Sequence, residues 1–320
     1  MPLVVADDIL REHILDLTYP IWNEGLTRRA YGQWNAAQLR TSWGREHLSR
    51  VALLDDTGTV LSTAKRYRLR ARLDGTTVDA LGLGAVFTPQ ALRGRGHASR
   101  LIETLVDEAR ADGAAFAMLF SEIDPVFYER LGFHRVSIDQ ARFGVLEKGG
   151  GAPAMLVRAG HVSDLAGLSA MHDVRTAGVR FTVERRPDFI EFMLARKRLL
   201  AGLGAPGLRQ VEFHVVEEGA SAVAYVMLSV EANGWTLTEA GDRDPAGARL
   251  GAMLQTLIAR EPSQRRPAIR TWWPRSFPVP PQLQVLESYA APDVMMIRPL
   301  RDINLPTTAD DVFYWRSDFF

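Results

Sequence analysis

Three hundred and twenty residues, 47% hydrophobic and 24% charged, with 38 basic against 38 acidic side chains, seven histidines and no cysteine, make a chain of ordinary composition long enough for two cores. Without cysteine there is no disulfide framework, thiolate zinc site, iron–sulfur cluster or acyl-cysteine intermediate. A net charge of zero argues against a surface built wholly to grip nucleic acid or anionic lipid. The start, MPLVVADDILREHILDL, mixes acids and bases and reads as neither signal nor transit peptide, and no apolar run approaches the ~20 residues that span a bilayer. A cytoplasmic chain with no nucleic-acid and no membrane partner is the expectation.

Helical patterns open the chain and carry Trp22, Tyr31, Trp34 and Trp43. Residues 51–54 and 60–73 read as strands around the turn Asp55-Asp56-Thr57-Gly58. In the second of these, Arg66, Arg68, Arg70 and Arg72 alternate with Tyr67, Leu69, Ala71 and Leu73, which puts four arginines on one face of a strand, read as a solvated face. Residues 78–88 and 114–121 read as buried strands. Between them Ala98, Leu101, Ile102, Leu105, Val106 and Ala109 recur at helical spacing, so a parallel pair with a crossover helix is expected. Asp124 then caps a short helix over 125–131 with Gly132 past its end, and residues 133–138 and 141–147 continue as strands. Gly149-Gly150-Gly151-Ala152-Pro153 reads as a linker between a domain over 1–148 and a second over 154–320. The second half repeats the order: a strand at 155–158, helices at 163–172 and 187–200, strands at 210–217, 221–231 and 235–240, and a helix at 246–260.

The chemistry concentrates between the first strand of the parallel pair and its helix, in Arg93-Gly94-Arg95-Gly96-His97-Ala98-Ser99. A glycine-rich turn opening a helix aims several backbone N–H groups at one point, and the helix dipole adds partial positive charge there. Arg93, Arg95, Arg100 and His97 reinforce that charge, so a pyrophosphate is the expected guest. The turn lacks the Lys-Ser/Thr ending of a Walker loop, and Ser99 stands where a dinucleotide fingerprint has its third glycine.

From Ala85 to Phe133 the residues resemble the core of a GCN5-related N-acetyltransferase (GNAT). The stretch has the strand, the Arg-x-x-Gly-x-Ala loop at Arg93, Gly96 and Ala98, the crossover helix, the second strand, and the Tyr-x-x-x-Gly-Phe ending at Tyr128, Gly132 and Phe133. Ser121-Glu122 with Tyr128 and the two-domain layout are similar to the Eis-like members, and Trp22-Asn23, Leu26-Thr27 and Tyr31 to fungal-type lysine acetyltransferases. The resemblance implies an α/β fold of α+β layering: two GNAT-type domains, each a mixed twisted sheet with helices on both faces, the second degenerate. It also implies acetyl-CoA as cofactor, held along Ala85, Val86 and Phe87 and by the loop Arg93, Gly94, Arg95, Gly96, His97, Ala98 and Ser99. Tyr128 matches the family's general acid, and a phenol with a reference pKa near 10 is protonated at neutral pH. For the base two candidates stand: Glu122, after the second strand, and the main-chain carboxylate of Phe320, which in Eis-like proteins folds back into the first domain. The aromatics of residues 312–320 otherwise close the second core.

The implied activity is direct acetyl transfer in a ternary complex to a small-molecule primary amine, lysine-like or cationic. An aminoglycoside or a protein lysine is an alternative acceptor, and a non-catalytic acyl-CoA sensor the alternative class. Trp22, Tyr31, Trp34 and Trp43 fall in the region that lies over the acceptor in this superfamily, where cation–π contact suits an amine. The arginine face at 66–72, read as solvated, is an alternative seat for the 3′-phosphate of coenzyme A or for a nucleic acid. In the second half Gly241-Asp242-Arg243-Asp244-Pro245-Ala246-Gly247 stands where the phosphate loop belongs; its aspartates repel a pyrophosphate and its proline removes a donor. Glu239 and Asp242 are read as solvated acids, with recognition of a cation as the alternative. The histidines show no metal spacing, so no metal site is expected, and a homo-oligomer is left open.

Overall fold

In a computed structural model the structure describes residues 1–146, 155–232 and 234–318. The chain divides into two compact units. The first holds Met1–Val136 with Pro292–Thr307, the second Ser137–Ala291 with Thr308–Phe319. This differs from the division expected at 149–153, a stretch that lies outside the described residues. The difference has two causes: residues just before the glycine run pair with strands of the second unit, and a late segment pairs with strands of the first.

Elements are labelled in chain order. The first unit begins with β1 (Leu3–Val5), α1 (Asp8–Trp22), α2 (Arg28–Arg40), α3 (Ser42–His47), β2 (Leu48–Leu54), β3 (Val60–Leu73) and β4 (Thr76–Phe87). It continues with α4 (His97–Ala111), β5 (Phe116–Ser121), α5 (Val126–Glu129) and β6 (His134–Val136). The second unit takes β7 (Asp139–Val145), β8 (Leu156–Ala159), α6 (Leu165–Arg175), β9 (Phe181–Val183), α7 (Pro187–Leu203), β10 (Arg209–Glu218), β11 (Ser221–Glu231) and β12 (Gly234–Asp242). After these come α8 (Ala248–Ile258), β13 (Ile269–Trp272) and β14 (Leu283–Ala290); β15 (Val294–Pro299) returns to the first unit, and β16 (Val312–Phe313) lies in the second.

The main path of the sheet of the first unit runs β1-β2-β3-β4-β5-β15-β6, and along it the pairing is antiparallel except for β4–β5. Helices cover both faces, as neighbouring residues of β3 show. Lys65 donates to Gln38 of α2, whereas Arg66 pairs with Glu108 of α4, and successive strand side chains point to opposite faces. The α4 face buries Leu81 and Leu83 of β4 and Ala117 and Leu119 of β5 against Leu101, Ile102, Leu105 and Val106. That is the apolar spacing read from the sequence.

The sheet of the second unit runs β14-β7-β13-β12-β11-β10-β8, again with one parallel pair, β12–β13. Val226 and Leu228 of β11 pack with α8, while Tyr225 and Met227 pack with α6 and α7. Helices therefore cover both faces here too, and the two sheets share one plan: an antiparallel run, a parallel pair joined by a helix, and two further antiparallel strands. In the first sheet the strand beside the parallel pair, β15, comes from outside the unit's main run of sequence, whereas in the second it is β7, at the start of that unit's own run. No helix among the described residues is long and apolar enough to cross a membrane.

Candidate functional site

The parallel pair β4–β5 is in register from Ala80–Phe116 to Leu83–Leu119, and there the pairing ends. Beyond it Phe120 and Ser121 of β5 pair with β15 on the far side, while β4 bends: its register with β3 slips between Thr63 and Lys65. Ala85 sits at the slip with φ 47°, a left-handed conformation that costs a non-glycine residue roughly 1–2 kcal/mol. A strained bulge next to a gap between two parallel strands is how a sheet admits an extended ligand at its strand ends. Ala85, Val86 and Phe87 are thus brought to that gap, and Phe87 meets Trp22 edge-on at 6.0 Å.

At the same end of the sheet α4 begins. Its N-cap is Gly96, with φ 78° and ψ 5°, and no side chain caps it. The helices before it differ: Asp7 accepts from Leu10 at 2.8 Å, Thr27 from Ala30 at 3.2 Å and Thr41 from Gly44 at 2.9 Å. The first intrahelical bond of α4 runs from Arg100 N–H to the Gly96 carbonyl at 3.0 Å, so the amides of His97, Ala98 and Ser99 are the orphan donors of this helix start. Arg93, Gly94, Arg95, Gly96 and Arg100 are exposed, and Arg93 Nε donates to the Thr88 carbonyl at 3.2 Å, folding it over the loop. Three amides with the dipole behind them and arginines around them fit a pyrophosphate.

Tyr128 sits after β5 on α5, a single turn shorter than the helix expected over 125–131. Asp124 accepts from Val126 N–H at 3.0 Å and Gly132, at φ 77°, ends the turn. Tyr128 is 7% exposed, edge-on to Phe127 and Phe133, and belongs to the core under α4. Burial first, and the Glu122 carboxylate second, push its phenol up to about 12. Such a group stays protonated at neutral pH and has a proton to donate. Glu122 is exposed at the end of β5, within electrostatic reach of Tyr128. Phe320 lies outside the described residues.

Of the acceptor aromatics, Trp43 and Tyr31 are core: Trp43 stacks on Tyr67 at 6.4 Å, and Tyr31 shares a 3.2 Å hydrogen bond with Thr18. Trp22 and Trp34 are half-buried, Trp34 beneath the Lys65 ammonium at 5.5 Å. The arginine face of β3 is partly engaged, since Arg66 reaches Ser49 and Glu108; Arg68 and Arg70 are exposed.

Glu239 and Asp242 are not solvated. Glu239 is fully buried on β12 and takes hydrogen bonds from Tyr225 at 2.9 Å and Ser317 at 2.5 Å, with Arg185 at 3.4 Å. Arg185, itself 1% exposed, also grips Asp318 at 2.5 Å. Burial opposes the charge on Arg185, and Asp318 with Glu239 more than offsets this, holding its pKa above the ordinary value. Asp242 turns inward to cap α8, accepting from Leu250 N–H at 2.9 Å and Asp244 N–H at 2.8 Å. Both carboxylates looked like surface acids because a sequence shows charge but not burial.

Arg50 was not legible as a site residue. The only charge in the strand LSRVALL, it is 5% exposed on β2 and lines a cleft with Arg11, Asn35 and Lys65. Among the described residues no group of His, Asp and Glu is placed to hold a metal ion.

The family model for the acetyltransferase (GNAT) domain matches residues 21–136. No curated protein matches the chain. Among solved structures, a GCN5-related N-acetyltransferase from Kribbella flavida is 14% identical, with a TM-score of 0.69 over 93% of this chain and 70% of that one. A GCN5-related N-acetyltransferase from Anabaena variabilis is 9% identical, with a TM-score of 0.69 over 94% and 73%. Eis1 from Mycobacterium abscessus is 13% identical, with a TM-score of 0.61 over 94% and 74%. At these identities the likeness establishes the fold, two-unit plan included.

Proposed function

We propose that the chain, whose residues 21–136 match the acetyltransferase (GNAT) domain model, transfers the acetyl group of acetyl-CoA directly to a primary amine while both substrates are bound. One observation carries the reading. The end of the β4–β5 pairing, the uncapped start of α4 and the buried phenol of Tyr128 all lie at the carboxyl ends of the parallel strands of one unit.

In this reading the amides of His97, Ala98 and Ser99, with Arg93 and Arg95, hold the pyrophosphate, and the free edge of Ala85–Phe87 takes the extended arm. Tyr128 supplies a proton to the departing thiolate, a role matched to a phenol held protonated. Glu122 accepts the proton of the incoming ammonium, which at a reference pKa near 10.4 must lose it before attack. The chain has no cysteine, so an acyl-cysteine relay is impossible and direct attack is the simpler course.

The test is acetyl-CoA consumption against a panel of amines, run beside equilibrium binding of coenzyme A. Tyr128→Phe is expected to keep coenzyme A affinity and lose most turnover. Equal turnover in the variant would remove Tyr128 from the mechanism, and failure of the native chain to bind coenzyme A would remove the reading.

A further inference from the structure

We infer that the cleft between α1, α2, β2 and β3 is an anion subsite, in which Arg50 seats a carboxylate carried by the acceptor amine. The inference rests on the acetyl-transfer reading and narrows its acceptor to an amine that also bears a negative group. It turns against the cationic acceptor expected from the sequence.

The cleft is lined by three cations, Arg11, Arg50 and Lys65, by Asn35 and by leucines, with no carboxylate among them. Arg50 is 5% exposed, and its buried Nη1 has no hydrogen-bond partner; the same holds for the buried Nε of Arg11, whose Nη2 reaches Asp8 at the surface. Burial pulls the Arg50 pKa down, and only the tyrosines Tyr31 and Tyr67 oppose this, without an acid to pair the charge. The polar neighbours that could serve as acceptors are spent or misdirected. Gln38 Oε1 receives Lys65 Nζ at 3.1 Å, and Asn35 turns its amide N–H to the Tyr31 carbonyl at 3.0 Å. A buried guanidinium without a counter-charge is costly, and buried charges in folded proteins are paired as a rule. An incoming carboxylate supplies what is missing, and a guanidinium fork matches its geometry.

The cleft also lies at a useful distance. Arg50 is the cross-strand neighbour of Lys65, and Lys65 that of Gly84, the residue before the bulge at Ala85. Two strand spacings put Arg50 about 10 Å from β4. Along α1, Leu15 lines the cleft and Trp22 touches Phe87 at the bulge, seven residues or again about 10 Å apart. On β4 the two positions in the rows of Lys65 and Tyr67 are Gly84 and Gly82, which add no side chain to that face. An amine at the bulge and an anionic group at Arg50 are therefore about 10 Å apart in one molecule.

The experiment uses three acceptors of one length on the full chain: 8-aminooctanoate, octylamine and 1,8-diaminooctane. We expect kcat/KM at least tenfold higher for the amino acid than for the other two. In Arg50→Met that preference should vanish through a higher KM for 8-aminooctanoate, while kcat/KM for octylamine stays within twofold. The diamine as best acceptor, or an equal loss on all three in the variant, would overturn the subsite. A binding measurement without acetyl-CoA separates this from failure of the transfer reading: octanoate should bind the native chain at least tenfold more tightly than octylamine, and Arg50→Met or, should that variant not fold, Arg11→Met should erase the difference. Octanoate binding no tighter than octylamine defeats the subsite whatever the turnover; tight octanoate with no turnover on any amine leaves the subsite and defeats the transfer.

Discussion

Two parallel pairs joined by a crossover helix, β4–α4–β5 and β12–α8–β13, are built alike and end in opposite states. Each crossover helix starts from a glycine in the left-handed region, Gly96 at φ 78° and Gly247 at φ 70°. Before α4 the orphan amides face a loop of exposed arginines. Before α8 the same place is filled from within: the Asp242 carboxylate takes the Leu250 and Asp244 amides, Arg249 lies 3.6 Å from it, and Arg175 ties down the carbonyls of Asp244 and Pro245 at 2.9 and 3.0 Å. A helix start that attracts an anion can thus be retired by giving it one of its own. Past β13, where the first unit has the turn that carries Tyr128, the second has Trp273, Phe277 and Trp315 packed edge to face. That unit spends the whole region on its core.

The comparison breaks most readily at Tyr128. Tyr128→Phe should lower kcat by at least about 100-fold with coenzyme A affinity unchanged, measured by thiol release and calorimetry. Giving α4 an internal anion should come next: Ser99→Glu is expected to weaken coenzyme A binding by about tenfold or more while the melting temperature holds or rises, since an acid in a first helical turn is favourable by about 0.3–1 kcal/mol. The stoichiometry should be one coenzyme A per chain. Asp242→Ala orphans two amides and should cost about 1–3 kcal/mol in urea unfolding, with no second binding event on calorimetry.

The smallest effect is on pH. Folded Tyr128 ionises near 12, while the unfolded phenol ionises near 10. The unfolded state therefore releases its proton first, so the contribution to stability is complete below pH 10 and is lost between pH 10 and 12. Tyr225 and Tyr314, both raised by burial, add in the same direction. The urea midpoint should fall across that interval, and less steeply in Tyr128→Phe.

What the sequence disclosed was local. The spacing of Leu101, Ile102, Leu105 and Val106, the glycine turn at 94–96 and the Asp124 cap all act within a few residues, so the parallel pair, its loop and the short turn after β5 are legible locally, whereas Tyr128 stands out only through the family resemblance. Pairing partners are not local. A strand is expected over 141–147 and β7 covers Asp139–Val145, residue 147 lying outside the described residues, yet nothing in the sequence says that Ala141 and Phe143 pair with Thr271 and Ile269 rather than with β5. The strand at Val294–Pro299 was not read at all. Arg50, Glu239 and Asp242 carry charges whose meaning depends on burial, and the single arginine within LSRVALL is the one signal that pointed there.

The placing of β15 bears on how the chain is made. On the ribosome, β5 and β6 emerge about 160 residues before the strand that joins them. At about 5–20 residues per second the sheet edge beside Tyr128 waits roughly 10–30 s for its partner. Nascent chains shorter than Pro299 expose an unpaired β5 edge, a template for misassociation that the completed chain removes. The unit that carries the candidate site is begun first, yet its sheet is closed only when β15 arrives, so a fragment ending in the glycine-rich stretch would lack a strand of the very sheet that site depends on.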